Sequence, residues 1–167
     1  MSIQIGDRLP DVSLTEMVEA GTDSCPAGPT KRDVAELAKG KKIALFAVPG
    51  AFTPTCSEKH LPGYLERYDD LKAKGVDEIW CIAVNAAFVM GAWGRDQNVR
   101  GRVRMLADGS GEFTRALGLD MDLTARGLGV RSQRYSAIVE DGVLRHLNVE
   151  DGGKLESSDA NTLLGQL

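Results

Sequence analysis

Two short apolar runs constrain this chain more than anything else in it: Ile43–Val48 and Ile79–Val84, six residues each. A strand with one wet face alternates apolar and polar side chains. An uninterrupted run needs cover on both faces, so these read as buried strands of a parallel sheet. Between them the period becomes helical. Leu61, Tyr64, Leu65, Tyr68 and Leu71 lie on one stripe, and Lys74-Gly75 supplies a stop. The alternation continues with a helix around 86–98, a strand over 102–107 and a helix over 111–117. Repeated strand–helix units of this kind build βαβ layers. The ending is different: Tyr135–Glu140, Asp141-Gly142 and Val143–Val149 predict a hairpin with a two-residue turn. A last helix follows, with Ser157 or Ser158 as its expected cap. Upstream, Ala20–Pro29 reads as a loop, and Thr30 is the expected cap of a short helix carrying Val34, Leu37 and Ala38.

A parallel βαβ half, then an antiparallel hairpin and a terminal helix, is the element order of a thioredoxin-like α/β fold, a central mixed sheet flanked by helices. The 167 residues suit one domain over 1–167 with a core that needs no metal or disulfide staple. A net charge of −4 and a pI near 5.2 argue against nucleic acid or an anionic membrane surface as the main partner. The apolar runs fall far short of the roughly 20 residues that span a bilayer, and the first residues lack the basic start of a secretory signal. The expectation is a soluble cytoplasmic protein without a bound cofactor or metal. Cys25, Cys56 and Cys81 are odd in number, 31 and 25 positions apart, with no Cys-x-x-Cys pair. Neither a disulfide framework nor a zinc site fits that spacing, so a cysteine here matters through reactivity.

The chemistry is most legible from Val48 to Gly63. Thr53 suits an N-cap, and Pro54 suits the first helical position, where its missing N–H costs nothing. That register puts Cys56 third in the helix, among unpaired backbone N–H groups at the positive end of the dipole. Such an environment favours the thiolate at neutral pH.

The same stretch carries Pro49-x-x-x-Thr53-x-x-Cys56, which resembles the Pro-x-x-x-Thr-x-x-Cys motif of the peroxiredoxin family. The resemblance extends through Ile5-Gly-Asp-x-x-Pro10, Ala87–Trp93, Leu106-Ala-Asp108 and Arg131–Ser136. It is strongest to the type-five subgroup, which includes plant type-two and bacterial glutathione/glutaredoxin-dependent members. It implies a thiol peroxidase acting on hydrogen peroxide and organic hydroperoxides. In that role Cys56 is the peroxidatic cysteine, Thr53 hydrogen-bonds the peroxide, Pro49 shields the pocket and Arg134 is the pocket arginine. Arg131, three residues earlier, rivals Arg134 for that place. A fixed guanidinium and hydroxyl aimed at the peroxide oxygens stabilise charge where it develops, leaving a sulfenic acid on Cys56.

Some type-five members resolve that sulfenic acid with a cysteine near the C-terminus. Here Gly152–Ser158 holds serines instead. Cys81, mid-strand, reads as a buried inert thiol, and Cys25 as a loop residue with no spacing that brings it to Cys56. A one-cysteine cycle with glutathione and glutaredoxin as external reductant is therefore implied, and the resemblance also implies a homodimer. A thioredoxin-dependent two-cysteine cycle through Cys25 or Cys81 is the alternative. A disulfide reductase and a non-catalytic, chaperone-like binding module remain as readings from other classes. His60, four residues after Cys56, would suit a cysteine hydrolase, but a structural or modest electrostatic role fits better; His146 in the hairpin reads as solvated. Arg95, Arg100, Arg102 and Arg104 form a local basic patch in which Arg102 and Arg104 alternate with Val103 and Met105 as a strand's outer face would, and Phe52, Phe88 and Trp93 read as either dimer contacts or core.

Overall fold

The computed structural model describes residues 2–19 and 27–167. In chain order its strands are β1 (Ser13–Val18), β2 (Gly28–Asp33), β3 (Lys42–Ala47), β4 (Glu78–Ala83), β5 (Arg104–Ala107), β6 (Asp120–Leu123), β7 (Gly129–Ser132), β8 (Tyr135–Glu140) and β9 (Val143–Val149). The helices are α1 (Val34–Ala38), α2 (Leu61–Glu66), α3 (Tyr68–Ala73), α4 (Ala87–Asp96), α5 (Glu112–Leu117) and α6 (Ala160–Gln166). Seven strands form one mixed sheet in the order β2-β1-β5-β4-β3-β8-β9, and β6 pairs with β7 in a small separate ribbon. The parallel trio β3, β4 and β5 forms the middle, flanked by antiparallel β1 and β8. This is the thioredoxin-like mixed sheet expected from the element order.

The two apolar runs are covered on both faces, as their lack of polar residues requires. The two-residue period of β3 sends Ala44 and Phe46 into one core with α2, α3, α4 and α6, and Ile43, Leu45 and Ala47 into another with α1 and α5. Asp141 and Gly142 close the β8–β9 hairpin with φ of 48° and 77°, the left-handed pair a tight turn between twisted strands demands. Close packing of α4 on β1 requires Gly91, since a Cβ there would lie 2.8 Å from Met17 Cγ.

Both cap expectations at the chain ends are corrected. Thr30 lies inside β2, opposite Glu16 of β1, and Asp33 caps α1, accepting from Ala35 N at 3.0 Å and Glu36 N at 3.4 Å. Ser157 and Ser158 do not start α6 because both are held by Glu150; the helix begins after Asp159. The helical stripe 61–71 is interrupted at Arg67, between α2 and α3. Of the arginine group, Arg104 bridges Glu16 and Glu78, Arg95 pairs with Glu19, and Arg102 donates to backbone carbonyls.

Candidate active site

The site is built where β3 ends. Asn85 Oδ1, just after β4, accepts from Ala51 N at 3.0 Å and so ties down the loop between Pro49 and Thr53. Phe52 adopts φ 65° within it, with half its surface exposed. Helical backbone begins at Pro54, and Ser57 N donates to Thr53 O at 3.0 Å, so Cys56 is the third helical residue. The Thr53 hydroxyl does not cap the helix. It donates backward to Gly50 O at 2.7 Å, which leaves its lone pairs free. The next turn, Cys56–His60, is wide: Leu61 N reaches back five residues to Cys56 O.

Cys56 is fully buried. Arg134, just before β8 and 3% exposed, donates from Nη2 to Cys56 Sγ at 3.2 Å and from Nη1 to His60 Nδ1 at 2.8 Å. A guanidinium only donates, so His60 Nδ1 must be the acceptor. The proton then sits on Nε2 and is donated to Ser158 O at 3.0 Å, a carbonyl that also accepts from Tyr64 OH at 2.8 Å. Phe46 supports this group from the sheet, its ring stacked on Tyr64 at 4.1 Å and tilted against His60 at 4.8 Å between centroids. Burial, reinforced by the charge of Arg134, pushes the His60 pKa down to about 3, so the ring is neutral at physiological pH.

Ser158 is held in turn by Glu150. The carboxylate accepts from Glu156 N at 2.7 Å, from Ser157 N and Ser158 N at 3.0 Å, and from both serine hydroxyls. Burial alone would raise the Glu150 pKa, but these donors, the Ser158 hydroxyl first, bring it down to about 2. Glu150 N also donates to Arg134 O at 2.9 Å.

Pro49, Thr53 and Arg134 share a cleft of about 310 Å³ with Met121, Leu123 and Leu128 of the β6–β7 region. The structure thus brings Pro49, Thr53 and Arg134 into one cleft, with Arg134 donating to Cys56 behind it. Arg131 is directed elsewhere, donating to Val84 O at 2.7 Å and Leu128 O at 2.8 Å. Cys81 is buried in β4 within the core that also contains Cys56, and burial, with the nearby Cys56 as a second cause, raises its pKa well above the ordinary thiol value. Cys25 lies outside the described residues. Phe52 and Phe88 are exposed, whereas Trp93 is core and donates to Ser57 Oγ at 3.0 Å. His146, read as solvated, is half-buried. Both His60 nitrogens are occupied by Arg134 and Ser158, which removes it as a base for Cys56. Among the described residues no cluster of three metal-ligating side chains occurs.

Sequence reasoning missed the second layer. Tyr64 was legible only as part of an apolar stripe, and Glu150 and Ser158 lie in a polar segment with no motif.

A buried thiol under a guanidinium, at the first helical turn after a central strand of a thioredoxin-like sheet, defines a cysteine-dependent oxidoreductase. Comparison with known proteins narrows this. The Redoxin family matches residues 4–164. Peroxiredoxin-2E, chloroplastic, of Arabidopsis thaliana is 47% identical over 168 residues, covering 99% of this chain and 70% of that one. Reduced Prx3 of Vibrio vulnificus in complex with hydrogen peroxide is 51% identical with a TM-score of 0.89, covering 98% of each chain. Peroxiredoxin 5 of Alvinella pompejana is 37% identical with a TM-score of 0.83, covering 97% of this chain and 96% of that one. The chain belongs to the peroxiredoxins of the Redoxin family. Its activity is that of a peroxidase, an oxidoreductase acting on peroxides.

Proposed function

We propose that Cys56 is the peroxidatic cysteine of a one-cysteine cycle regenerated by glutathione and glutaredoxin. The observation that carries the assignment is the buried 3.2 Å contact from Arg134 Nη2 to Cys56 Sγ. The Cys56 thiolate attacks the near oxygen of the hydroperoxide and the O–O bond breaks. The far oxygen leaves as alkoxide or hydroxide and takes up a proton, leaving Cys56 as sulfenic acid. Arg134 stabilises charge on sulfur and on the peroxide oxygens. Thr53, its own proton directed to Gly50 O, accepts the hydrogen bond of the peroxide O–H. Pro49 keeps water from the cleft. Glutathione then displaces water from the sulfenic acid to give a mixed disulfide, and a second thiol, delivered by glutaredoxin, releases the Cys56 thiol.

Two features support an external thiol: Cys81 is wholly buried in mid-strand, and Gly152–Ser158 has no cysteine. Exposed Phe52, in the loop before Cys56, and exposed Phe88, in the first turn of α4, support a homodimer contact. Reduced protein treated with one equivalent of hydrogen peroxide and a sulfenic-acid trap, followed by intact and peptide mass analysis, tests the cycle. A trap adduct on Cys56, converted by glutathione to a mixed disulfide, is expected. Loss of two hydrogens would replace this cycle with the two-cysteine one through Cys25 or Cys81. An unchanged mass would favour a non-catalytic binding module.

A further inference from the structure

The active-site arginine has to stay in place while its sulfur partner changes from thiolate to sulfenic acid. Of its terminal nitrogens, Nη2 faces that changing atom, and Nε has no hydrogen-bond partner. The side-chain contact left to hold it is Nη1 to His60 Nδ1 at 2.8 Å. It exists in only one form of the imidazole. The other tautomer would turn an N–H toward the guanidinium and a lone pair toward the Ser158 carbonyl, and the protonated ring would set two cations together. Ser158 O, accepting from Nε2, selects the form that Arg134 needs. The position of that carbonyl depends on Glu150, the buried carboxylate on which the 156–158 backbone converges.

We propose that Glu150 and His60 are positioning residues for the reaction at Cys56: Glu150 folds residues 150–158 so that Ser158 O fixes His60 as the acceptor that orients Arg134. Glu150 acts on the arginine at both ends, since its own N–H donates to Arg134 O at 2.9 Å. The C-terminal segment is in this sense part of the site, although among the described residues none of it beyond Glu150 hydrogen-bonds to Arg134 or Cys56. The proposal rests on the peroxidase reading of Cys56 and Arg134 and adds a second layer to it.

Three variants test it: Glu150→Gln, His60→Gln and His60→Asn. An asparagine oxygen falls close to the place of Nδ1 and can still accept from Arg134. A glutamine amide can still donate to Ser158 O but offers no acceptor at that place. Three quantities are read on the reduced proteins: the pH midpoint of Cys56 alkylation by iodoacetamide (followed by peptide mass), the rate constant for Cys56 oxidation by hydrogen peroxide, and the urea midpoint. Glu150→Gln and His60→Gln are expected to raise the alkylation midpoint and slow oxidation by about tenfold, the scale of one hydrogen bond to a charged group. His60→Asn is expected to stay within about threefold of the parent rate for the same reason. Lower urea midpoints with unmoved alkylation and oxidation would show a merely structural role and overturn the proposal. If Glu150→Gln does not fold, the histidine pair decides: equal oxidation rates and equal alkylation midpoints for Asn and Gln would overturn it. Slow oxidation of the parent protein would instead count against the peroxidase reading, and the alkylation midpoints would still report on the relay.

Discussion

Cys56 and Cys81 belong to one apolar core and both are fully buried, yet the fold treats them differently. Cys81 sits in the middle of β4, every backbone group around it engaged in the ladder, and burial drives its pKa up. Cys56 sits at a helix start, where backbone N–H groups are unpaired, with a guanidinium at 3.2 Å. Burial therefore does not distinguish the two thiols. What distinguishes them is whether a helix start and one fixed cation stand beside the sulfur to stabilise a negative charge. Two arginines three residues apart differ in the same manner: Arg134, just after β7, is aimed at sulfur, and Arg131, within β7, is occupied by two backbone carbonyls.

The most direct way to break the thiol comparison is Cys56→Ser. Peroxide consumption in the presence of glutathione and glutaredoxin is expected to vanish, since a serine hydroxyl is not ionised at neutral pH. A variant that still turned over would move the chemistry to another thiol. The arginine comparison follows. Arg134→Ala is expected to lower the rate of Cys56 oxidation by about 10²–10³, the scale seen when a fixed donor is removed from developing charge. Arg131→Ala is expected to change that rate by less than about threefold and to cost roughly 1 kcal/mol of stability through its lost hydrogen bonds. Stopped-flow oxidation of both variants, with urea midpoints alongside, separates the two roles; equal rate losses would erase the distinction drawn between them.

Much of this contrast was legible in the sequence. The apolar runs required cover on both faces, and the Thr53-Pro54-x-Cys56 spacing placed the thiol in the first turn. Both are local rules, and both hold in the structure. β2 escaped because its residues, Gly-Pro-Thr-Lys-Arg-Asp, are polar and half exposed, so its pairing with β1 left no hydrophobic period. The β6–β7 ribbon escaped because each of its strands is only four residues long, too short for an alternating pattern to stand out, and with it the apolar wall of the cleft. The Glu150–Ser158–His60 chain escaped because it runs through a backbone carbonyl. A carbonyl is present at every residue, so sequence gives no sign of which one matters.

The network around Arg134 also predicts how the fold fails in acid. The His60 pKa is about 3 in the fold against an ordinary 6.5, so its contribution to stability is complete above 6.5 and is lost as pH falls toward 3. Glu150, at about 2 against an ordinary 4.5, contributes fully above 4.5 and loses that contribution as pH falls through 2. The acid limb should therefore start with the histidine. Urea midpoints between pH 7 and pH 4.5 are expected to decline for the parent protein and to flatten for His60→Asn, which has no group to protonate. An unchanged slope would mean that His60 is not the first group to disturb the core.

The smallest expected effect sharpens the thiol comparison from the inert side. Cys81→Ala removes one sulfur from a packed core and should cost about 1 kcal/mol at pH 7. Oxidation of Cys56 should stay within about twofold, the range of a change that leaves the reacting groups in place. The raised Cys81 pKa also sets a sign. The folded thiol keeps its proton where the unfolded one loses it, so stability falls as pH rises past the ordinary value of 9.0. Tyr64 and Tyr135, raised by burial, add to this decline only beyond 10.0. Between those values Cys81→Ala should flatten the alkaline limb in urea titrations. Should the variant instead fail to be regenerated after one peroxide turnover, Cys81 would be a resolving cysteine and β4 would have to open during the cycle. That outcome would make the two thiols partners rather than opposites.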